Sequence, residues 1–167
     1  METIFYISGG VAVLATLGMI TRTRAVHALL YLIVSLLAVA LVLFTLGAPF
    51  VAALEVILYA GAIMVLFVFV VMLLNPGRAS EEQERRWLRG ASWAGPAVLA
   101  LVLAGELAYL LTSVGLPSGA PAVVPAGEVA RELYGPYRIG VELASVLLLA
   151  ALVGAFHIGR HHGGEGR

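Results

Sequence analysis

The chain has 167 residues, 61% hydrophobic and 12% charged, with a mean hydropathy of +1.00, which excludes a soluble globular domain and points to an integral membrane protein. A formal net charge of +0 gives no basic surface for nucleic acid and no acidic tail for a cationic substrate. With 0 Cys there is no thiolate for an iron–sulfur cluster, no disulfide and no cysteine nucleophile.

Taken in order, the chain reads as all-α and polytopic, a single integral membrane domain over 1–167. Five apolar runs reach spanning length: about Ile4–Ile20, Val26–Leu46, Phe50–Leu74, Ala91–Val114 and Ile139–Ile158. Met1-Glu2-Thr3 lacks a basic n-region, and Arg22 and Arg24 follow the first run, so that run is expected to be a retained span. Gly47-Ala48-Pro49 is an uncharged hinge. The loop from Asn75 to Gly90 contains Ser80-Glu81-Glu82-Gln83, a capping box that predicts a short helix through Trp87-Leu88. Trp87 and Trp93 bracket the entry to the fourth run, as interfacial anchors would. In the Pro-rich connection, Ala126–Tyr134 predicts a short surface helix ended by Gly135-Pro136.

Arginine placement sets the expected orientation. Arg22, Arg24, Arg78, Arg85, Arg86, Arg89, Arg160 and Arg167 fall on one side, and only Arg131 and Arg138 on the other. The positive-inside rule then predicts an outside N-terminus and a cytoplasmic C-terminus. No repeat of fixed period is present, which argues against an inverted-repeat transporter within this chain.

Three carboxylates fall inside spans: Glu55, Glu106 and Glu142. Counting from span centres at ~1.5 Å per residue puts Glu55 ~12 Å, Tyr59 ~6 Å, Glu106 ~4 Å and Glu142 ~9 Å from the midplane, all toward the outer side. An ionised carboxylate costs ~2.5–3.5 kcal/mol or more at the bilayer centre, so each should face a partner helix or water. Plainer readings stand beside the functional ones. Glu142 can pair with Arg138 one turn away, and Glu55 can snorkel to the interface. Glu106 has no charged neighbour in its span and calls for a neutral form, a partner from another chain, or water. Tyr59 sits one helical turn after Glu55 and just before Gly61, where the helix is least stiff; it is either a packing phenol or part of a polar, deformable spot. His27, His157, His161 and His162 form no convincing metal motif, and nothing resembles a phosphate loop or a catalytic triad.

The run Phe50–Asn75, with its core Tyr59-Ala60-Gly61-Ala62-Ile63-Met64-Val65-Leu66-Phe67, resembles the third helix of the subunit J (chain 6, chain 10) family of proton-translocating NADH–quinone oxidoreductase, respiratory complex I. The similarity continues through Arg24–Leu32 with Ser35-Leu36, and through Glu142–Ala155. Spans one and four match in hydrophobicity alone. Ala25 stands where the family often has Pro, and Val141 where it often has Phe.

The resemblance implies five helices, with a third that can carry a π-bulge, and gating roles for Tyr59 and Gly61, with Val65 and Phe67 on the continuing helix. It implies a membrane-arm subunit that couples quinone reduction in other chains to proton translocation and performs no redox chemistry itself. Glu55, Glu106 and Glu142 would then belong to a proton path. FMN, iron–sulfur clusters and quinone are expected in other subunits, with no cofactor or metal on this chain. Its expected partners are the bilayer, the subunits beside the quinone site and the antiporter-like subunits, in a bacterial inner (plasma) membrane. Alternatives are the equivalent subunit of a cation/proton antiporter or membrane-bound hydrogenase, a purely structural spacer and, last, an independent transporter.

Overall fold

A computed structural model of the chain describes residues 2–22, 25–73, 93–112 and 122–160. Every regular element among them is helical. Five helices are long and apolar enough to cross a membrane: Glu2–Ile20, Ala25–Thr45, Pro49–Leu73, Ala94–Thr112 and Arg138–Arg160. Each falls within a few residues of an expected run. The first two are α1 (Glu2–Ile20) and α2 (Ala25–Thr45). The third is composite: α3 (Pro49–Leu54), a π-helical segment (Glu55–Ile63) and α4 (Met64–Leu73). Then come α5 (Ala94–Thr112), α6 (Ala126–Tyr134) and α7 (Arg138–Arg160). The predicted helix after Ser80, with Trp87, Arg78, Arg85, Arg86 and Arg89, lies outside the described residues. So do Arg24, Arg167, His161 and His162.

The residues group into two compact units, 1–124 and 125–167. In the first, α1 and α2 form an antiparallel pair joined through the short link after Ile20. Small residues let the two backbones approach, as membrane helix pairs require when no water drives them together. The interior is built from Val11, Ala15, Tyr31, Val34, Ala38 and Leu103, with Leu103 supplied by α5. The Tyr31 ring lies flat against Gly18: a Cβ added there would sit 2.8 Å from two ring carbons. On the other side, a Cβ added at Gly95 would collide with the Tyr31 hydroxyl. That hydroxyl accepts from the Arg22 guanidinium at 3.2 Å, and the guanidinium stands 5.3 Å from the ring centroid.

The hinge after α2 is a Schellman-type stop. Gly47 adopts φ 83°, which a side chain disfavours; its N–H donates to Phe44 O at 3.1 Å and the Ala48 N–H to Leu43 O at 3.1 Å. Pro49 then opens the third helix in its first turn, where the missing N–H costs nothing. Val124 N–H returns to Gly47 O at 2.9 Å, tying the end of the first unit to this hinge.

In the second unit, α6 starts after extended Pro125, with Glu128 in its first turn and Arg131 in its last, both complementing the helix dipole. It occupies the residues predicted for it. A turn through Gly135, closed by Tyr137 N–H to Glu132 O at 3.1 Å, leads into α7.

The Tyr31 clamp makes a prediction about two glycines of α1. Because Tyr31 is held on both sides, Gly18→Ala should cost about 1–3 kcal/mol by overpacking. Gly10→Ala, where an added Cβ meets nothing within 4 Å, should be neutral or gain up to about 1 kcal/mol from helix propensity. Thermal unfolding of the two variants in detergent measures the difference; equal midpoints would remove the clamp.

Candidate functional site: a π-helical turn and a buried carboxylate

A transmembrane helix must satisfy its own backbone, so a local change of helix type is one of the few irregularities the third span can hold. The π segment covers nine residues, Glu55–Ile63. At its start the Glu55 N–H is shared between Ala52 O and Val51 O, and at its end the Met64 N–H is shared between Gly61 O and Tyr59 O. Both junction N–H groups are thus satisfied: Glu55 by carbonyls three and four residues back, Met64 by carbonyls three and five residues back. Gly61 sits where the wide turn is tightest. A Cβ there would approach Val56 O, the carbonyl five residues back, at 3.1 Å. Ala60 and Ala62 beside it keep the rest of that turn small.

Glu55 is half-buried, whereas Tyr59 is exposed, and neither has a side-chain partner among the described residues. Val65 and Phe67, on α4, also face away from the rest of the chain. Met64 is the exception: at 2% exposure it pins the start of α4 against the chain's interior. Thus the expected polar spot, Glu55, Tyr59 and Gly61, falls within one continuous π segment. Val65 and Phe67 ride on the helix that the segment rotates.

Between α2, α3 and α5 lies a cavity of about 580 Å³ that the π segment borders through Val56. Its wall includes Phe44, Ala52 and Val56 on one side and Leu103, Ala104 and Leu107 on the other. The lining is apolar and offers few groups that could hold water. The cavity therefore separates Val56 from the helix carrying Glu106.

Glu106 is in a different setting from Glu55. It is buried at 8% exposure, and the Ser8 hydroxyl of α1 donates to its Oε2 at 2.7 Å. Its Oε1 is buried without a hydrogen-bond partner. The partner is thus a neutral hydroxyl of the same chain, on a span whose sequence looked like plain grease. The available signal was small: Ser8 is the only serine in α1, ahead of Gly9-Gly10. Pairing across helices cannot be read from a lone serine.

Other polar groups of the α1–α2 seam were also hidden in the sequence. Thr16 and Ser35 hydroxyls are 2.8 Å apart, and Ser35 Oγ also donates to Ala12 O at 3.3 Å. His27, 6% exposed, has no partner on either ring nitrogen and stands edge-on to Trp93 at 6.3 Å. Glu142 is exposed on α7, in the second unit. Its carboxylate has no ion pair with Arg138 among the described residues; the nearby polar contact is Ser145 Oγ–H donating to the Glu142 backbone carbonyl at 2.9 Å.

The family model for NADH-ubiquinone/plastoquinone oxidoreductase chain 6 matches residues 15–158. The chain is 61% identical to NADH-quinone oxidoreductase subunit J of Pseudomonas aeruginosa over 163 residues, 96% of this chain and 97% of the relative. It is 55% identical to the subunit J of Escherichia coli K12 over 160 residues, covering 96% and 87%. The subunit J of a Buchnera aphidicola from Schizaphis graminum is 46% identical over 160 residues, covering 96% and 98%. With a match across most of its length and all five long apolar helices in place, the chain belongs to the NADH-quinone oxidoreductase subunit J (chain 6) family.

Proposed function

We propose that the chain is a membrane-arm subunit of a proton-translocating NADH–quinone oxidoreductase and that its π segment is the moving part. The observation that carries this reading is the nine-residue π segment at Glu55–Ile63, which contains Tyr59 and Gly61 and directly precedes Val65. A π-helix costs more than an α-helix and concentrates at functional positions. Its conversion needs no break in the backbone ladder, only a change of partner for each N–H.

The consequence of conversion is rotation. Each residue expelled from or taken into the π segment turns the following helix by ~100°. Val65 and Phe67, facing outward on α4, would then be presented to different neighbours, so the turn opens or closes a hydrated route between this chain and its partners. Glu55 and Tyr59 would organise water at the outer half of that route, and the apolar cavity beside Val56 gives the segment room to repack. The chain supplies no electrons. Quinone reduction in other subunits changes charge and packing nearby, and those subunits hold the FMN, iron–sulfur clusters and quinone.

Exposure supports the partner assignment. Of the most apolar stretch of the third span only 6% is buried. Apolar helices with so little cover must be covered by lipid or by other subunits, here those beside the quinone site and the antiporter-like subunits. Glu142 on α7 would face one of them. The arginine asymmetry supports an outside N-terminus and a cytoplasmic C-terminus in a bacterial inner membrane.

Two experiments test the gate. A side chain at residue 61 that biases the segment against its π form by ~1–3 kcal/mol shifts the two-state ratio roughly 5–150-fold. Gly61→Leu in the assembled complex should therefore strongly depress proton pumping per NADH oxidised, and Tyr59→Phe, which removes only a hydroxyl, should depress it less. If both variants keep wild-type quinone reduction and pumping, the segment is not a gate. Because the native chain has 0 Cys, Val65→Cys adds a unique thiol to it. Its alkylation, read by mass spectrometry of this subunit, should change in rate between the resting complex and turnover with NADH and quinone; a constant rate counts against rotation of α4.

A further inference from the structure

The buried carboxylate lies away from the π segment, across the apolar cavity, in a core made by α1, α2 and α5. One oxygen of Glu106 is held by Ser8 at 2.7 Å and the other is buried and unpartnered. A carboxylate with a bare buried oxygen is costly in hydrocarbon, and either a proton or a water placed on that oxygen removes most of the cost. The arrangement therefore links proton occupancy to hydration.

The rest of the core gives that linkage a direction. On α2, His27, Tyr31 and Ser35 follow one another at i, i+4 and i+8, one face of the helix with ~6 Å between successive groups. Thr16 of α1 meets Ser35 at 2.8 Å, and Arg22 meets Tyr31 at 3.2 Å. Polar groups thus occupy the Arg22 end of the core, finishing at His27, whose two nitrogens are also buried and unpartnered. Ser8 lies eight residues before Thr16, or ~12 Å along α1. That interval is filled by Val11, Ala15, Ala38 and Leu103, none more than 5% exposed. An apolar constriction of this kind passes protons only when it is wetted.

We propose that Glu106, with Ser8, is a proton-holding site of this chain, closed from the His27–Tyr31–Ser35 groups by the Val11–Ala38–Leu103 layer. The proposal rests on the proton-translocating reading and adds a site on elements separate from the π segment. In the step it describes, an excess proton carried as hydronium along water that wets the layer passes to the free oxygen of Glu106, leaving neutral water, and is later released to water as hydronium. No electron moves, and the carboxylate is regenerated.

The test is redox-induced infrared difference spectroscopy of the assembled complex, poised with NADH and quinone. A carboxylic C=O band should be present in the wild-type difference spectrum and lost in Glu106→Gln. It should shift in Ser8→Ala, where the hydrogen bond to the carboxyl is gone, and return close to its original position in Ser8→Thr, which keeps the hydroxyl. The ratio of protons moved per NADH oxidised should fall in Glu106→Gln. A Glu106→Gln complex with an unchanged difference spectrum would mean that Glu106 keeps one protonation state, and would overturn the proposal. If that variant does not assemble, an unshifted band in Ser8→Ala overturns it equally. Failure here leaves the π gate standing, since Gly61 and Tyr59 are tested separately; loss of the gate with a positive Glu106 band would leave this site in place.

Discussion

Inside a bilayer the backbone has no water to fall back on, so every N–H and C=O of a span needs a partner within the protein. That constraint shapes the third helix more than any side chain does. A break, a kink opened to solvent or an unpaired turn would leave polar groups in hydrocarbon at several kcal/mol each. A π segment avoids that cost. The Glu55 and Met64 N–H groups at its two ends each find two carbonyls, and Gly61 leaves Val56 O unobstructed by a side chain. In the proposed gate the span would pass between two backbone registers without leaving a backbone group bare in hydrocarbon. A low-cost change of register is what a mechanical element in a membrane requires.

The same solvent argument explains why the polar core differs from the π segment. Side chains on α1, α2 and α5 that face one another are enclosed, so their polar atoms must find partners in the chain or remain bare. Most find one: Ser8 with Glu106, Thr16 with Ser35, Tyr31 with Arg22. Among the described residues the bare atoms are the second oxygen of Glu106 and the ring nitrogens of His27, at opposite ends of an apolar layer. Around the third helix the reverse holds. Glu55 and Tyr59 lack partners within the described chain while Tyr59 is exposed, so neighbouring subunits and water can reach it. One region is organised around contacts within the subunit and the other around contacts beyond it.

The sequence made these two regions unequally legible. Span lengths follow from hydropathy, and α6 from turn chemistry, because Pro125 and Gly135-Pro136 act locally. The π segment is legible only through resemblance. Ala60-Gly61-Ala62 permits a wide turn but does not demand one, since small residues are equally at home in a packed α-helix. The Ser8–Glu106 pair was out of reach for a different reason: it joins residues 98 positions apart through the packing of two helices that look interchangeable in composition. Tyr31 shows the same limit. Its place between Gly18 and Gly95 depends on three helices, and no periodicity within one of them encodes it.

What distinguishes a coupling element from a spacer is whether its geometry is more expensive than its packing requires. A spacer that only locks larger subunits together would be served by five plain α-helices with apolar seams. This chain instead places a nine-residue π segment in its least covered inner span, beside an apolar cavity of about 580 Å³, and buries a carboxylate with one oxygen unpaired. Each feature is costly for stability: the π segment through poorer hydrogen-bond geometry, the cavity through lost contacts, the carboxylate through desolvation. They also fall around the same two elements, the third span and α5, whose facing sides share that cavity. Val56 of the π segment and Leu103, one turn before Glu106, both line that cavity. In the proposed mechanism this shared wall is the route by which a change of helix register would reach the buried carboxylate.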